Sequence, residues 1–133
     1  MDKNIFKVKG TYVNGQWFNS KTSYEVFNPS NGEKLSDVPI SDRKELELAV
    51  TSAKKAQAVW SKTSLIERAK CLEELSKKIL AKEEEFALID SYDSGNAITG
   101  MRKDVKETVN NIRYFCGLVR EVKGETFSME KNH

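Results

Sequence analysis

The pattern of hydrophobic and polar positions changes near residue 40 of the 133-residue chain. Before that point, short runs of β-branched and aromatic residues alternate with turn-forming residues, which predicts strands joined by tight turns. Asn14-Gly15 lies between two such runs and favours a two-residue hairpin, because a type I′ turn needs positive φ at both central positions. Two further extended segments are predicted at residues 24–27 and 34–40, with a turn between them.

After residue 40 the apolar residues recur at helical spacing. Asp42 and Glu45 resemble a capping box, in which two side chains satisfy backbone N–H groups of the first turn, and they predict a helix over about residues 42–60. Ser64 and Glu67 repeat this signature and predict the start of a second helix. Both segments carry apolar residues along one face, as expected of helices that pack against a core.

The apolar stripe of the second helix is interrupted at Lys82-Glu83 and resumes at Phe86. Gly95 then suits the left-handed residue that ends many helices. The pattern therefore predicts either two helices or one kinked helix over residues 64–94. The acidic run at residues 83–85 is more typical of a solvated first turn, where carboxylates complement the helix dipole, than of a catalytic carboxylate pair.

A final helix is predicted up to Gly124, and it has the most regular apolar seam in the chain. Its seam positions are Ile98, Met101, Val105, Thr108, Ile112, Phe115 and Val119. Such a seam can mark a coiled coil, but the irregular flanking charges favour a helix packed on its neighbours. We therefore expect strands and turns over residues 1–40, about four amphipathic helices over 41–124 and a tail over 125–133. Since no linker or repeat divides them, one structural unit over 1–133 is expected.

Composition and charge exclude several classes of protein. Apolar residues make up 38% of the chain and charged residues 32%, which is typical of solvated helices around a modest core. The net charge of +2 comes from interleaved cations and anions, so nucleic acid is not an expected partner. No apolar run is long enough to cross a bilayer and no signal-peptide pattern opens the chain, which predicts a cytoplasmic protein without a membrane partner.

The chain offers few residues for chemistry. Cys71 and Cys116 lie 45 positions apart inside predicted helices, where nothing nearby would activate a thiol, and we expect both to be buried or half-buried structural residues. The only histidine is His133, at the last position. Zinc sites and Ser-His-Asp or Cys-His arrangements therefore lack their residues, and the sequence assigns no catalytic and no cofactor-binding residue.

Six short segments occur in an order and at distances that match one known pattern. They are residues 12–17 (YVNGQW), 28–33 (NPSNGE), the apolar positions of 49–60, Arg68, 93–95 (DSG) and 113–117 (RYFCG). Together they resemble the N-terminal part of the aldehyde dehydrogenase superfamily, over nearly the whole chain. One departure is the loop after Gly95, where Asn96-Ala97 stands in place of the family's Lys-Pro.

The resemblance implies an α+β segment of the α/β aldehyde dehydrogenase fold, in which an N-terminal hairpin and short strands precede the helices. Enzymes of this family oxidise aldehydes to carboxylic acids with NAD or NADP, using a catalytic cysteine, a glutamate base and an asparagine that holds the oxyanion. The family places these groups beyond the matched region. The chain alone is therefore expected to be inactive, to hold no cofactor, and to self-associate or bind the remainder of the enzyme through exposed apolar faces.

Two other interpretations stay open. The chain is a stand-alone helical interaction module that retains the family's N-terminal part and binds a partner through its exposed seam. Alternatively, it is a four-helix protein whose resemblance is accidental, in which case a structure without the hairpin at Asn14-Gly15 is expected.

The resemblance also implies a site for a monovalent cation. Some family members hold such an ion through backbone carbonyls of the strand before the Asn-Pro turn and through an aspartate, which by position fall on Val26, Phe27 and Asp93. Oxygen ligands suit a hard cation. The alternative is that Asp93 satisfies backbone groups of its own turn before Gly95.

Overall fold

The computed structural model describes residues 3–126 of the chain. It contains four short strands followed by four helices, in the predicted order. Most of the predicted tail, residues 127–133, lies outside the described residues, and so does His133. The arrangement is the α+β segment expected from the sequence.

The first two strands form the predicted hairpin. A 3-10 turn at Lys3–Phe6 precedes β1 (Thr11–Val13), which pairs in antiparallel register with β2 (Gln16–Phe18). Asn14 and Gly15 connect the strands with φ values of 49° and 79°, as a type I′ turn requires. This hairpin argues against the interpretation as a purely helical protein with an accidental resemblance.

The other two strands form a separate antiparallel sheet. β3 (Ser23–Phe27) pairs with β4 (Lys34–Pro39). In the turn that joins them, the buried Asn28 donates its backbone N–H to Glu33 O at 2.8 Å, and its Oδ1 accepts from Ser30 N at 2.9 Å. Because its polar groups are satisfied locally, Asn28 can be buried without the cost of an unpaired amide.

The first two of the four helices begin at the capping residues that the sequence indicates. Asp42 and Glu45 form a complete capping box, and so do Ser64 and Glu67. Residues 64–94 form two helices rather than one kinked helix, because Lys82 has φ of −116° and ψ of 23° and interrupts the helical backbone. The helices are α1 (Arg43–Trp60), α2 (Leu65–Ala81), α3 (Glu83–Ser94) and α4 (Ile98–Leu118).

The last helix is shorter than the seam predicts. α4 ends at Leu118, and a 3-10 turn over Val119–Glu121 continues it, so helical backbone stops before Gly124. A tightened final turn of this kind is common at helix ends, where the last carbonyls lack α-helical partners. None of the helices in the described range combines the length and hydrophobicity needed to cross a membrane.

α2, α3 and α4 pack together, with α2 and α4 antiparallel. At one end of that pair, Cys116 Sγ lies 3.5 Å from Ala69 O, and at the other end Ile79 and Val105 line a common cavity. The buried apolar residues of the described chain are few and mostly small: Val13, Ala69, Ala87, Val105, Val109 and Cys116. The core is therefore thin for four helices.

Ion pairs connect the acidic start of α3 to α4. Arg102 donates from Nε and Nη2 to the two carboxylate oxygens of Glu84, at 2.8 and 2.6 Å. Lys106 Nζ lies 3.2 Å from Glu83 Oε1. The hydrogen bond with Arg102 holds the pKa of Glu84 below its ordinary value. The acidic run thus forms the first turn of α3, as predicted, and two of its carboxylates also face α4.

The chain exposes more surface than a compact protein of its size. Its accessible area is 10949 Å², whereas a 15.1 kDa monomer is expected to expose about 7,100 Å². Full extension of the residues outside the described range would account for only about 1,500 Å² of the difference. α1 contains no buried residue. Roughly 2,000 Å² of surface that a compact fold would cover is therefore exposed.

Candidate functional site

An open cavity of about 370 Å³ lies between the β3–β4 sheet, the N-terminal 3-10 turn and the end of α3. Val26 and Asp93, two of the three residues predicted to bind a cation, both line it. Phe27, the third, is not among the lining residues and its side chain is exposed, because successive strand residues point to opposite faces. The ladder is also irregular between Val26 and Phe27. The fold thus brings Val26 and Asp93, which are 67 positions apart, to one cavity.

The end of α3 is held against the turn that follows β3. Gly95 has φ of 77°, in the left-handed region, as predicted for a helix end. A Cβ atom added to Gly95 would lie only 2.9 Å from Pro29 Cγ. This close approach positions Asp93, two residues earlier, beside the sheet.

Serines, and not Asp93, satisfy the turn at the end of α3. Ser94 Oγ accepts from Asn96 N at 3.2 Å, and Ser91 Oγ donates to Asn96 O at 2.7 Å. Among the described residues, no hydrogen bond or ion pair involves the Asp93 carboxylate. The local alternative, in which Asp93 satisfies its own turn, is therefore not seen among the described residues, where Ser91 and Ser94 bond to the turn instead.

The cavity has little charge and few polar groups. Its polar and charged lining residues are Asp93, Tyr24, Ser36 and Lys7. Carboxylate and hydroxyl oxygens suit a hard cation. Asp93 is the one acidic residue of this lining, and a single carboxylate favours an ion of low charge over a divalent one. Within residues 3–126, no group of three or more His, Cys, Asp or Glu side chains could hold a metal ion.

The two cysteines lie in different environments. Cys116 is buried between α2 and α4, as expected, but Cys71 is exposed, so the prediction of a buried or half-buried Cys71 is wrong. The reason is helical geometry: Ala69 faces α4, and two residues further along an α-helix the side chain points about 200° away. Residues 3–126 contain no histidine, so neither thiol has an imidazole partner there.

A second candidate site is an exposed surface along one side of the α2–α4 pair. Ile79 of α2 lines a cavity with Phe86 and Asp90 of α3 and with Asp104 and Thr108 of α4, which places the α2 and α4 stripes that contain these residues on the same side of the pair. Phe115 in this surface is 65% exposed. We call the surface the α2–α4 face; by helical spacing it consists of Leu65, Arg68, Leu72, Leu75 and Ile79 on α2 and Asp104, Thr108, Asn111, Phe115 and Leu118 on α4.

Arg68 is the one cation of the α2–α4 face. Its guanidinium Cζ lies 6.0 Å from the centroid of the Trp60 ring, and its Nε is buried without a hydrogen-bond partner among the described residues. A buried N–H left unpaired costs about 1–3 kcal/mol. In the sequence, Arg68 is recognisable only as part of the family motif. The available signal was a lone arginine within the apolar stripe of α2.

Comparisons with known proteins agree on one family. The model of the aldehyde dehydrogenase family matches residues 17–133. Malonate-semialdehyde dehydrogenase 1 of Shouchella clausii is 34% identical to the chain over 127 residues, which are 94% of this chain and 26% of that protein. The chain spans about a quarter of the length of the curated relatives that it matches.

Solved structures show the same relationship. The crystal structure of an aldehyde dehydrogenase from Brucella melitensis biovar abortus 2308 has a TM-score of 0.86 at 26% identity, over 96% of this chain and 27% of that chain. A betaine aldehyde dehydrogenase from Staphylococcus aureus, in complex with NAD+, has a TM-score of 0.82 at 26% identity, over 91% of this chain and 25% of that chain. The strands and helices described above thus recur in these enzymes.

Proposed function

The chain belongs to the aldehyde dehydrogenase family, and we propose that it forms the N-terminal part of an NAD(P)-dependent enzyme that oxidises an aldehyde to a carboxylic acid. The observation that carries the proposal is that the strands and helices match, in order, a segment that makes up about a quarter of the length of such enzymes. Fold alone does not establish activity, so the proposal rests on the combination of sequence identity and shared structure.

In this proposal the chain supplies packing surfaces and no reacting group. Its exposed apolar side chains, on α1 and on the α2–α4 face, are surfaces that the remaining polypeptide would cover. The catalytic cysteine, glutamate and asparagine and the NAD(P) site belong to that remainder. The chain alone is therefore inactive. A cytoplasmic location is part of the same proposal, and the composition and charge pattern support it.

The names of the relatives indicate which substrate and cofactor to test first. The relatives in Shouchella clausii, Bacillus pumilus and Bacillus velezensis are malonate-semialdehyde dehydrogenases. A betaine aldehyde dehydrogenase of similar fold was solved with NAD+. Malonate semialdehyde is accordingly the first aldehyde to test, with NAD before NADP.

A chimeric enzyme tests the structural role. The corresponding N-terminal quarter of the Shouchella clausii enzyme is replaced by residues 1–133, and aldehyde-dependent reduction of NAD and NADP is measured. We expect the chimera to be active, and both the purified chain and the enzyme without this segment to be inactive. A chimera that folds and binds NAD but does not turn over would contradict the proposal, and so would turnover by the chain alone.

A stand-alone interaction module is the second candidate function. The specific observation in its favour is the roughly 2,000 Å² of surface in excess of that expected for a compact monomer. An immunoblot of native cells with an antibody against residues 1–133 separates the two functions. A product about four times the mass of this chain supports the enzyme, whereas a product of 15.1 kDa supports the module.

A monovalent cation in the cavity lined by Val26 and Asp93 is a further part of the proposal, with the Asp93 carboxylate and the carbonyls of Val26 and Phe27 as ligands. Thermal unfolding in KCl and NaCl is compared with choline chloride at equal ionic strength. At a salt concentration tenfold above Kd, binding adds about 1.4 kcal/mol of stability. We expect Asp93→Asn to abolish the effect and Asp90→Asn to preserve it. Equal stability of the wild-type chain in all three salts would refute the site.

A further inference from the structure

The sequence contains two Asn-Gly dipeptides, Asn14-Gly15 and Asn31-Gly32. Each lies in the connection between two paired strands, and all four residues are exposed. Both glycines have positive φ, at 79° and 72°, and a Cβ atom added to either would meet nothing within 4 Å. The two dipeptides therefore share their local chemistry and their access to water.

An asparagine that precedes a glycine can lose its side-chain amide without an enzyme. The backbone nitrogen of the glycine attacks Cγ of the asparagine and closes a succinimide ring, and the side-chain nitrogen leaves as ammonia with the proton of the attacking nitrogen. Water then opens the ring at either carbonyl carbon and leaves aspartate or isoaspartate, with no change of oxidation state. Asparagine is thermolabile for this kind of reason, and glycine offers the least hindrance because it lacks a Cβ.

Hydrogen bonds occupy the reacting groups of the second dipeptide. Gly32 N donates to Asn28 O at 2.8 Å, and Asn31 Oδ1 accepts from Glu33 N at 3.0 Å. The attacking nitrogen and the side-chain amide must both leave these partners before they can meet. The free energy of the two hydrogen bonds therefore adds to the barrier for ring closure at Asn31.

The first dipeptide has no such restraint. The hydrogen bonds found within residues 3–126 involve neither Gly15 N nor the Asn14 side chain. The strands on either side, β1 and β2, contain three residues each and pair only with one another. A two-stranded hairpin of this size is marginally stable and opens locally at little cost, so this turn can reach the geometry of attack.

We propose that Asn14 is a site of spontaneous deamidation, and that the hydrogen bonds of the second turn protect Asn31 from the same reaction. Isoaspartate carries an additional methylene in the backbone, and the register of a two-residue hairpin depends on the length and type of its turn. The Tyr12 and Trp17 rings, with centroids 4.9 Å apart, face each other only in that register. Deamidation at Asn14 thus breaks the hairpin, independently of the enzymatic activity proposed above.

Peptide mapping of the full 133-residue chain measures both sites in one sample. The protein is incubated at mildly alkaline pH, and mass spectrometry follows the deamidated peptides that contain Asn14 or Asn31. We expect Asn14 to react about tenfold faster or more, the factor that two ordinary hydrogen bonds supply. In concentrated urea, where neither turn is formed, the two rates should become similar. This comparison is the matched control, because it removes the fold and keeps both dipeptides.

The effect on the hairpin is measured by amide hydrogen exchange in β1 and β2. The aged wild type, in which protein isoaspartate methyltransferase detects the product, should exchange faster there than fresh Asn14→Asp, because Asp-Gly also suits a type I′ turn. Exchange as slow in the isoaspartate form as in that variant would overturn the predicted loss of the hairpin. Asn14 that reacts no faster than Asn31 in the folded chain would overturn the proposal, and so would an equal ratio of rates in urea.

Discussion

Replacing Gly95 by alanine tests how the end of α3 is held against the second sheet. Gly95 has φ of 77°, a left-handed conformation that costs other L-residues about 1–2 kcal/mol. The new Cβ would also lie 2.9 Å from Pro29 Cγ, and relieving such overpacking typically costs about 1–3 kcal/mol. We therefore expect Gly95→Ala to lower the free energy of unfolding by about 2–5 kcal/mol.

The two contributions can be separated with a second substitution. Pro29→Ala removes the Cγ atom that the new methyl group would meet. In a double-mutant cycle, Gly95→Ala should therefore destabilise the Pro29→Ala variant less than it destabilises the wild type. The difference is the steric contribution, and the loss that remains is the cost of positive φ. Gly100→Ala is the matched control: Gly100 lies in the first turn of α4, and an added Cβ there would meet nothing within 4 Å. That substitution should stabilise the chain by up to about 1 kcal/mol.

Urea unfolding followed by far-UV circular dichroism measures the wild type and all four variants, at a protein concentration too low for self-association. A chain with so small a core can lose most of its helical signal in Gly95→Ala without denaturant, and the double variant should then regain part of it. Surface substitutions usually change the free energy of unfolding by no more than about 0.5 kcal/mol. A difference of less than about 0.5 kcal/mol between Gly95→Ala and wild type would therefore refute the reasoning. Equal losses in the single and double variants would show that Pro29 does not contribute to the cost.

Three further predictions concern the core, a helix cap and an ion pair. Replacing Val109, which is 1% exposed, by alanine should lower the free energy of unfolding in urea by about 2 kcal/mol. The same change at Val59, which is 72% exposed, should leave that free energy nearly unchanged. Ser64→Ala removes the side-chain acceptor of the capping box at the start of α2 and should lower the free energy of unfolding by about 1 kcal/mol. Hydrogen exchange of the amides in the first turn should then be faster than in wild type, and an unchanged exchange rate would contradict this. The pKa of Glu84 is lowered in the folded chain by its hydrogen bond with Arg102, so the unfolded chain binds this proton more readily. The pair's contribution is therefore present above about pH 4.3 and is lost as the pH falls through the lower, folded pKa. In unfolding measured against pH, wild type and Glu84→Gln should converge at acid pH, and parallel curves would show that the pair does not contribute.

Local features of the fold were predictable because their causes are local. The hairpin follows from Asn14-Gly15, which adopts the positive φ values that few other dipeptides tolerate. The starts of α1 and α2 follow from capping boxes contained within four residues. Gly95 marks the end of α3 for a similar reason, since the left-handed conformation favours glycine. In each case the determining groups are neighbours in the sequence.

Features that depend on partners across the fold were less predictable. Apolar periodicity identifies the stripe of α2 but does not say which part of it α4 covers. For this reason Cys71 was wrongly expected to be buried or half-buried. The interruption at Lys82 was compatible with a kink until its φ and ψ were known. In the sequence, Arg68 was recognisable only as part of the family motif. The burial of its Nε without a hydrogen-bond partner among the described residues depends on the neighbours that the fold places around it.

The amino-acid sequence by itself determined the order and type of the elements, the capping residues and the resemblance to one enzyme family, because turn chemistry and helical spacing act over a few residues. Tertiary structure decided which distant groups meet and which surfaces stay open. It placed Val26 and Asp93 at one cavity, and it buried Arg68 Nε without a hydrogen-bond partner among residues 3–126. Burial and pairing depend on how helices and sheets pack, which no local pattern specifies.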